Sequence, residues 1–139
     1  MERRSNGNIW QALVDGHSDS VDQLCWDPTS TDRLATASAD KSVRMWDIRA
    51  GSKCTASIPT SGDNINIVWS PDGTTIAVGN RDDVVSFIDA RKFKVIKTIK
   101  FSFEVNEIEW EPSGKKFYVT TGLGTVEEGA YTGPLFGST

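Results

Sequence analysis

Three short stretches of this sequence alternate apolar and polar residues and then stop on the same punctuation. "VDQLCWDP" from Val21, "NINIVWSP" from Asn64 and "VNEIEWEP" from Val105 each end in Trp, one further residue and Pro. Within them Leu24 and Trp26, Ile67 and Trp69, and Ile108 and Trp110 stand two apart, which puts each pair on one face of a strand. The tryptophans Trp26, Trp69 and Trp110 lie 43 and 41 residues apart. A strand-built period of about 40 to 45 residues is that of a four-stranded propeller blade, not of a helical solenoid.

The rest of each unit reads the same way. "WSPDGTTIAVGN" and "WEPSGKKFYVTTG" place a Pro-Asp-Gly or Pro-Ser-Gly turn before a second strand. Third strands are predicted in "KSVRMWDI" and "DVVSFIDA", and fourth strands in "CTASI" and "KVIKTI". Helical apolar spacing is absent over any window of about 11 residues, and β-branched and aromatic residues dominate the apolar runs. The fold class is therefore all-β, with propeller segment 9–127 and blades at about 17–58, 62–100 and 103–127. Residues 1–8 are expected to be disordered, and "NIWQALV" to be one strand of a preceding blade. After "GLGTVE" comes "EGAYTGPLFGST", rich in glycine and without alternation, so 128–139 is expected to be a non-blade tail and the third blade to lose its outer half.

Composition changes this picture little. With 139 residues, 37% hydrophobic and 24% charged, the chain is one ordinary globular domain. Its net charge of -4 supplies no basic excess for binding nucleic acid through counterion release. The two cysteines, Cys25 and Cys54, lack the spacing of a zinc site or a disulfide framework and are expected to be buried free thiols in a reducing compartment. No stretch approaches the ~20 apolar residues of a membrane span. The charged N-terminus has no apolar run behind it to make a secretory signal, so the expected location is cytoplasmic or nuclear.

The order Gly16-His17, then Asp40 in a turn, then Trp46-Asp47 resembles the WD-repeat signature. The resemblance implies a hydrogen-bonded network within one blade, formed by His17, Asp40 and Trp46 with a strand hydroxyl from Ser38 or Thr36. Those two lie two apart, on one face, and the sequence does not choose between them. An imidazole, a carboxylate and an indole N–H are each costly when buried alone, and satisfying one another lets them pin a turn. The repeat signature further comprises Trp26, Trp69 and Trp110, with Asp47 and Asp89 closing the third strands and Asp82 aligned with Asp40 as a turn carboxylate. The second unit has Ile88-Asp89 in place of Trp46-Asp47 and no Gly-His, so its network is expected to be incomplete.

A hydrolase would also use Ser, His and Asp, here Ser38, His17 and Asp40. Against it, the single His is already engaged, no G-x-S-x-G elbow occurs and no oxyanion donors are evident. "TGLGT" from Thr121 lacks the helix that a phosphate loop requires and reads as a tight turn. Asp82 and Asp83 offer too few oxygen ligands for a metal. Arg91, Lys92, Lys94, Lys97 and Lys100 form one local basic run, read as the solvated face of an outer strand, with an acidic or phosphate partner as the lesser alternative.

The wording "GDNINIVWSPDGTTIAVGNRDDVVSFIDARK", with "FEVNEIEW" and "TTGLGTVE", resembles the WD-repeat subunits of the THO complex over about residues 16–127. That resemblance implies a non-enzymatic nuclear scaffold, part of the TREX assembly that couples transcription to mRNA export. Its partners would be other THO and TREX proteins, with RNA contacted at most indirectly. No cofactor, metal, membrane or small-molecule substrate is implied. The competing reading is a generic WD-repeat adaptor of a ubiquitin ligase or of chromatin. The resemblance also implies about seven blades in a closed ring, of which about two and a half are present. The expectation is an incomplete propeller, a fragment with both end faces exposed.

Overall fold

The structure is a computed structural model that describes residues 2–3, 9–10, 16–49 and 53–130. The alternating stretches form strands, because alternation gives a pleated ribbon one apolar face to bury. Blade one consists of β3 (Val21–Trp26), β4 (Arg33–Ser38), β5 (Ser42–Asp47) and β6 (Lys53–Pro59), an antiparallel meander in sequence order. Blade two repeats it with β7 (Asn64–Trp69), β8 (Thr75–Asn80), β9 (Val84–Asp89) and β10 (Lys94–Lys100). Blade three contains β11 (Val105–Trp110), β12 (Lys116–Thr121) and β13 (Val126–Ala130). A two-residue ladder pairs β1 (Glu2–Arg3) with β2 (Ile9–Trp10). Among the described residues there is no helix.

All three blades share one register. Trp26, Trp69 and Trp110 face Leu34, Ile76 and Phe117 on the second strand, and these in turn face Trp46, Ile88 and Gly129 on the third. The register slips once at the start of each first strand, between Val21 and Gln23, Asn64 and Asn66, and Val105 and Glu107. The turn from second to third strand holds a left-handed residue at the same place each time, Lys41 (φ 67°), Asp83 (φ 60°) and Gly124 (φ 85°). Only the glycine adopts it without steric cost.

The apolar faces meet in two layers. Between blades one and two lie Ala35, Ala37, Val43 and Met45 against Ile67, Trp69, Ile76 and Ile88. Between blades two and three lie Ala77, Val85 and Phe87 against Val105, Ile108, Trp110 and Phe117. The first-strand tryptophans of blades two and three thus pack on the preceding blade, and Trp69 and Trp110 are only 7% and 5% exposed. Trp26, at the same repeat position, is 50% exposed.

The third blade keeps a third strand: β13 runs through the expected boundary at 127 to Ala130 and pairs along β12 from Thr120↔Val126 to Lys116↔Ala130. The ladder needs only backbone groups, and Gly129 has no Cβ to collide with the Phe117 ring lying over it. Of segment 1–8, Glu2–Arg3 are paired rather than disordered. The other residues of 1–8, the stretch 11–14 of "NIWQALV" and the tail from 131 lie outside the described residues.

One buried polar side chain joins the first two blades. Asn64 is fully buried, its Nδ2 donating to the carbonyls of Ser38 (3.2 Å) and Ser42 (3.1 Å) while its Oδ1 accepts from the Thr60 hydroxyl (2.9 Å). The other two blades have Val21 and Val105 here. Asn64→Val, although it matches this chain's own repeats, is expected to lower stability by about 1–3 kcal/mol in urea denaturation, because buried carbonyls lose their donor. Unchanged stability would remove Asn64 from the joint.

Candidate functional site

The approach to β3 carries His17 into blade one. Ser38 Oγ donates to the Ser20 carbonyl (2.8 Å), and the Ala39 N–H donates to the same carbonyl (2.9 Å). So held, the His17 side chain is 1% exposed. Its Nδ1 lies 2.9 Å from Asp40 Oδ2, and its Nε2 lies 2.6 Å from Thr36 Oγ1. The Trp46 indole N–H donates to the same hydroxyl at 2.9 Å, and the imidazole meets the indole edge-on with centroids 6.4 Å apart.

Donor chemistry assigns the protons. The indole is donor-only, so Thr36 Oγ1 accepts from it. The Asp40 carboxylate accepts only, so His17 Nδ1 donates to it, and the neutral imidazole then accepts the Thr36 hydroxyl proton at Nε2. The relay runs one way, Trp46 to Thr36 to His17 to Asp40. At its end Asp40 also accepts from the Ser18 N–H (3.0 Å), the Ser42 N–H (2.9 Å) and the Ser42 hydroxyl (2.6 Å). Burial alone raises the pKa of Asp40, but the hydrogen bonds from Ser42, Ser18 and His17 outweigh it and hold the carboxyl at about 2.

A carboxylate depressed in the folded state stabilises the protein above its ordinary value of 3.8, and that contribution is lost as pH falls to about 2. Asp40→Asn is expected to be less stable than the unsubstituted chain at neutral pH. The gap should narrow as thermal unfolding is followed from pH 5 down to pH 2. A gap independent of pH would show that the charge of Asp40 contributes nothing.

The hydroxyl of the relay is therefore Thr36. Ser38 is corrected: it donates to the Ser20 carbonyl and accepts the Asp40 N–H (3.0 Å), because its β4 position faces the incoming loop rather than the indole. A Ser38–His17–Asp40 triad is not assembled, since Ser38 Oγ bonds backbone and both His17 nitrogens are engaged in a nearly closed interior.

Blades two and three close the same turn by other means. Asn80 Oδ1 accepts the N–H groups of Asp82 (2.9 Å) and Val84 (3.2 Å), and Thr121 Oγ1 accepts those of Leu123 and Thr125 (both 3.2 Å). Asp82 is thus corrected as the turn carboxylate: it enters this turn through its backbone, the amide of Asn80 having taken the acceptor role. Val78 and Ile88 occupy the places of Thr36 and Trp46 as buried apolar groups, so blade two contains no relay.

Asp47 and Asp89 do parallel work at the ends of β5 and β9. Asp47 Oδ1 accepts the Arg49 N–H (2.9 Å), and Asp89 Oδ1 accepts those of Arg91 (2.9 Å) and Lys92 (3.1 Å). Asp83 Oδ1 accepts the Val105 N–H at 3.3 Å, linking blades two and three. "TGLGT" is the β12–β13 turn and leads into a strand. Lys94, Lys97 and Lys100 stand exposed on β10, the outermost strand of blade two. Cys25 and Cys54 are half-buried free thiols, and burial, with Asp27 nearby, pushes the Cys25 thiol up to about 12.

Sequence reasoning missed two residues that join blades one and two. Gln23 Oε1 accepts the Ile67 N–H at 2.7 Å, and Asn64 ties the blades as described. For Asn64 the available signal was a polar residue at a repeat position where the other units carry valine; Gln23 gave none, because Asn66 and Glu107 at its repeat position are polar as well.

Comparison with known proteins agrees with this architecture. The model of the WD domain, G-beta repeat, matches residues 10–47, and that of the anaphase-promoting complex subunit 4 WD40 domain matches residues 56–113. THO complex subunit 3 of Arabidopsis thaliana is 60% identical over 116 residues, 84% of this chain and 36% of the relative. WD repeat-containing protein AAC3 of Dictyostelium discoideum is 35% identical over 122 residues, 86% of this chain and 25% of the relative. A chain in a crystal structure of the mitotic checkpoint complex superposes with a TM-score of 0.76 at 23% identity, over 93% of this chain and 40% of that one, a likeness of fold. The chain thus spans roughly a third or less of the length of the curated relatives it matches. Three blades in one register, matched by WD models over most of their length, show that the chain belongs to the WD-repeat family and, within it, resembles THO complex subunit 3.

Proposed function

We propose that this chain is a non-enzymatic scaffold segment of a THO complex, acting in the nucleus within the TREX assembly that couples transcription to mRNA processing and export. The observation that carries the reading is the 60% identity to THO complex subunit 3, sustained over 84% of the chain. The interior supports it, because the imidazole, carboxylate and hydroxyl that could have served catalysis are spent on one another and on the backbone. Function then falls to the surface: exposed turns and outer strands that contact other THO and TREX proteins, with RNA handled indirectly in keeping with the acidic balance of the chain. The competing reading, an adaptor in a ubiquitin ligase, draws on the match of residues 56–113 to the anaphase-promoting complex subunit 4 domain.

Affinity purification of the tagged chain from nuclei separates the two. Recovery of the other THO subunits by mass spectrometry is expected. Recovery of ubiquitin-ligase or chromatin subunits in their place would overturn the proposal.

A further inference from the structure

An antiparallel meander sends successive turns to alternate rims, so the β3–β4, β7–β8 and β9–β10 turns share one rim. Between these three turns lies a cavity of about 700 Å³. The turns of blades one and two touch within its lining, where a Cβ on Gly73 would lie 2.8 Å from Thr29 Cγ2. Its charged lining is Asp27, Asp72 and Asp89 with Arg33, Arg91 and Lys92. The two signs balance in number, but they are not equally presented to water.

Two of the carboxylates are buried and engaged. Asp27 and Asp89 are each 4% exposed. Asp27 Oδ1 accepts the Thr29 N–H (2.8 Å) and hydroxyl (2.7 Å), and its Oδ2 accepts from Arg33 Nε (3.2 Å) and Nη2 (3.0 Å). Asp89 is tied to the N–H groups of Arg91 and Lys92, as described. The cations stand outside. Arg33 is fixed between Asp27 and the Trp69 ring, yet 39% of its side chain is exposed. Arg91 and Lys92 are exposed, and neither side chain has a carboxylate partner among the described residues. Asp72 is the one exposed carboxylate, and its Oδ1 is spent on the Ser70 and Thr74 hydroxyls and the Thr74 N–H. A ligand at this rim therefore meets three cations from three turns.

We infer that this cavity binds a short acidic segment of a partner protein, whose carboxylate or phosphoryl groups pair with Arg33, Arg91 and Lys92. The volume is that of a ligand site and holds more than a single ion, and guanidinium groups grip such oxygens in pairs. The net charge of -4 does not oppose it, because the blade-two turns at the opposite rim hold Asp63, Asp82, Asp83 and Glu104 against Arg81. A nucleic-acid strand running past the cavity would meet that acidic excess, whereas a short segment does not. The inference goes beyond the proposed THO role and does not depend on it.

Fluorescence anisotropy on the full chain tests it with four labelled probes: a peptide of alternating Glu and Gly, its Gln counterpart, its phosphoserine counterpart and an oligouridylate of similar length. The Glu and phosphoserine peptides are expected to bind, the tighter of the two identifying the anion, and the Gln peptide to bind at least about tenfold more weakly. Arg91→Ala with Lys92→Ala should cost a similar factor. Lys94→Ala with Lys97→Ala, an equal charge change on β10, should cost less than about twofold. Asp72→Asn keeps an acceptor for Ser70 and Thr74 and should tighten binding. Circular dichroism checks that each variant keeps its strands, and Arg91→Gln with Lys92→Gln replaces a cavity variant that does not. No binding of either anionic peptide, equal binding of the Gln peptide, tighter binding of the oligouridylate, an equal loss at Lys94 and Lys97, or weaker binding by Asp72→Asn overturns the inference.

Discussion

Trp69→Ala is expected to cost about 3–5 kcal/mol, whereas Trp26→Ala, at the same position of the preceding repeat, costs less than about 1 kcal/mol. Replacing a buried tryptophan by alanine loses both its transfer energy and the packing of the cavity left behind. Trp69 is 7% exposed and sits in the layer between blades one and two, with its N–H donating to the Gly73 carbonyl at 3.0 Å and the Arg33 guanidinium 5.8 Å from the centroid of its ring. Trp26 already shows half its surface to water, so truncation forfeits much less. Urea denaturation of both variants measures the difference. Equal losses would mean that the tryptophans stabilise each blade from within, and that the joint between blades is not what holds the fold.

The second large effect is expected at Thr36. Thr36→Val keeps the shape of the side chain and removes one hydroxyl, and blade two already carries Val78 at this place, so the strand itself accepts valine. In blade one, however, the change leaves the Trp46 N–H and His17 Nε2 buried without the partner they share. A loss of about 1–3 kcal/mol follows. His17→Ala should cost a similar amount, and the double variant should cost less than the two losses added, because both break one relay. Additive losses in the double-mutant cycle would show that the four residues do not act as a unit. A His17→Ala chain of full stability that had lost a hydrolytic activity would instead revive the enzymatic reading.

The parts legible in the sequence were those whose physics is local or periodic. Alternation two apart, stopped by Pro-Asp-Gly or Pro-Ser-Gly, is enough to define strands and turns, and Asp47 and Asp89 close their strands opposite Arg33 and Thr75, where a carboxylate accepts the following N–H groups. Choices between equivalent atoms were not legible. Thr36 and Ser38 share a face and a hydroxyl, and only the path of the loop from Gly16 to Ser20 decides that Ser38 bonds backbone while Thr36 meets the indole. Asn80 in the role expected of Asp82 is a similar substitution, since either side chain can accept a turn N–H.

Edges were hidden for another reason. β13 contains Glu127, Glu128 and Gly129, which break the apolar pattern, yet its ladder needs only backbone groups and the glycine makes room for Phe117. The polar end face of blade three was not legible either, because Glu109, Tyr118 and Glu128 come from three different strands and meet only in the folded register.

Stability passes from blade to blade, so the middle blade, covered on both faces, is the best protected. Hydrogen exchange read by peptide tests it most directly. The slowest amides are expected in β8 and β9, with β3 exchanging faster than its repeat counterpart β7 because nothing among the described residues covers Leu24 and Trp26. Exchange as slow in β3 as in β7, or fast throughout all three blades, would contradict the account.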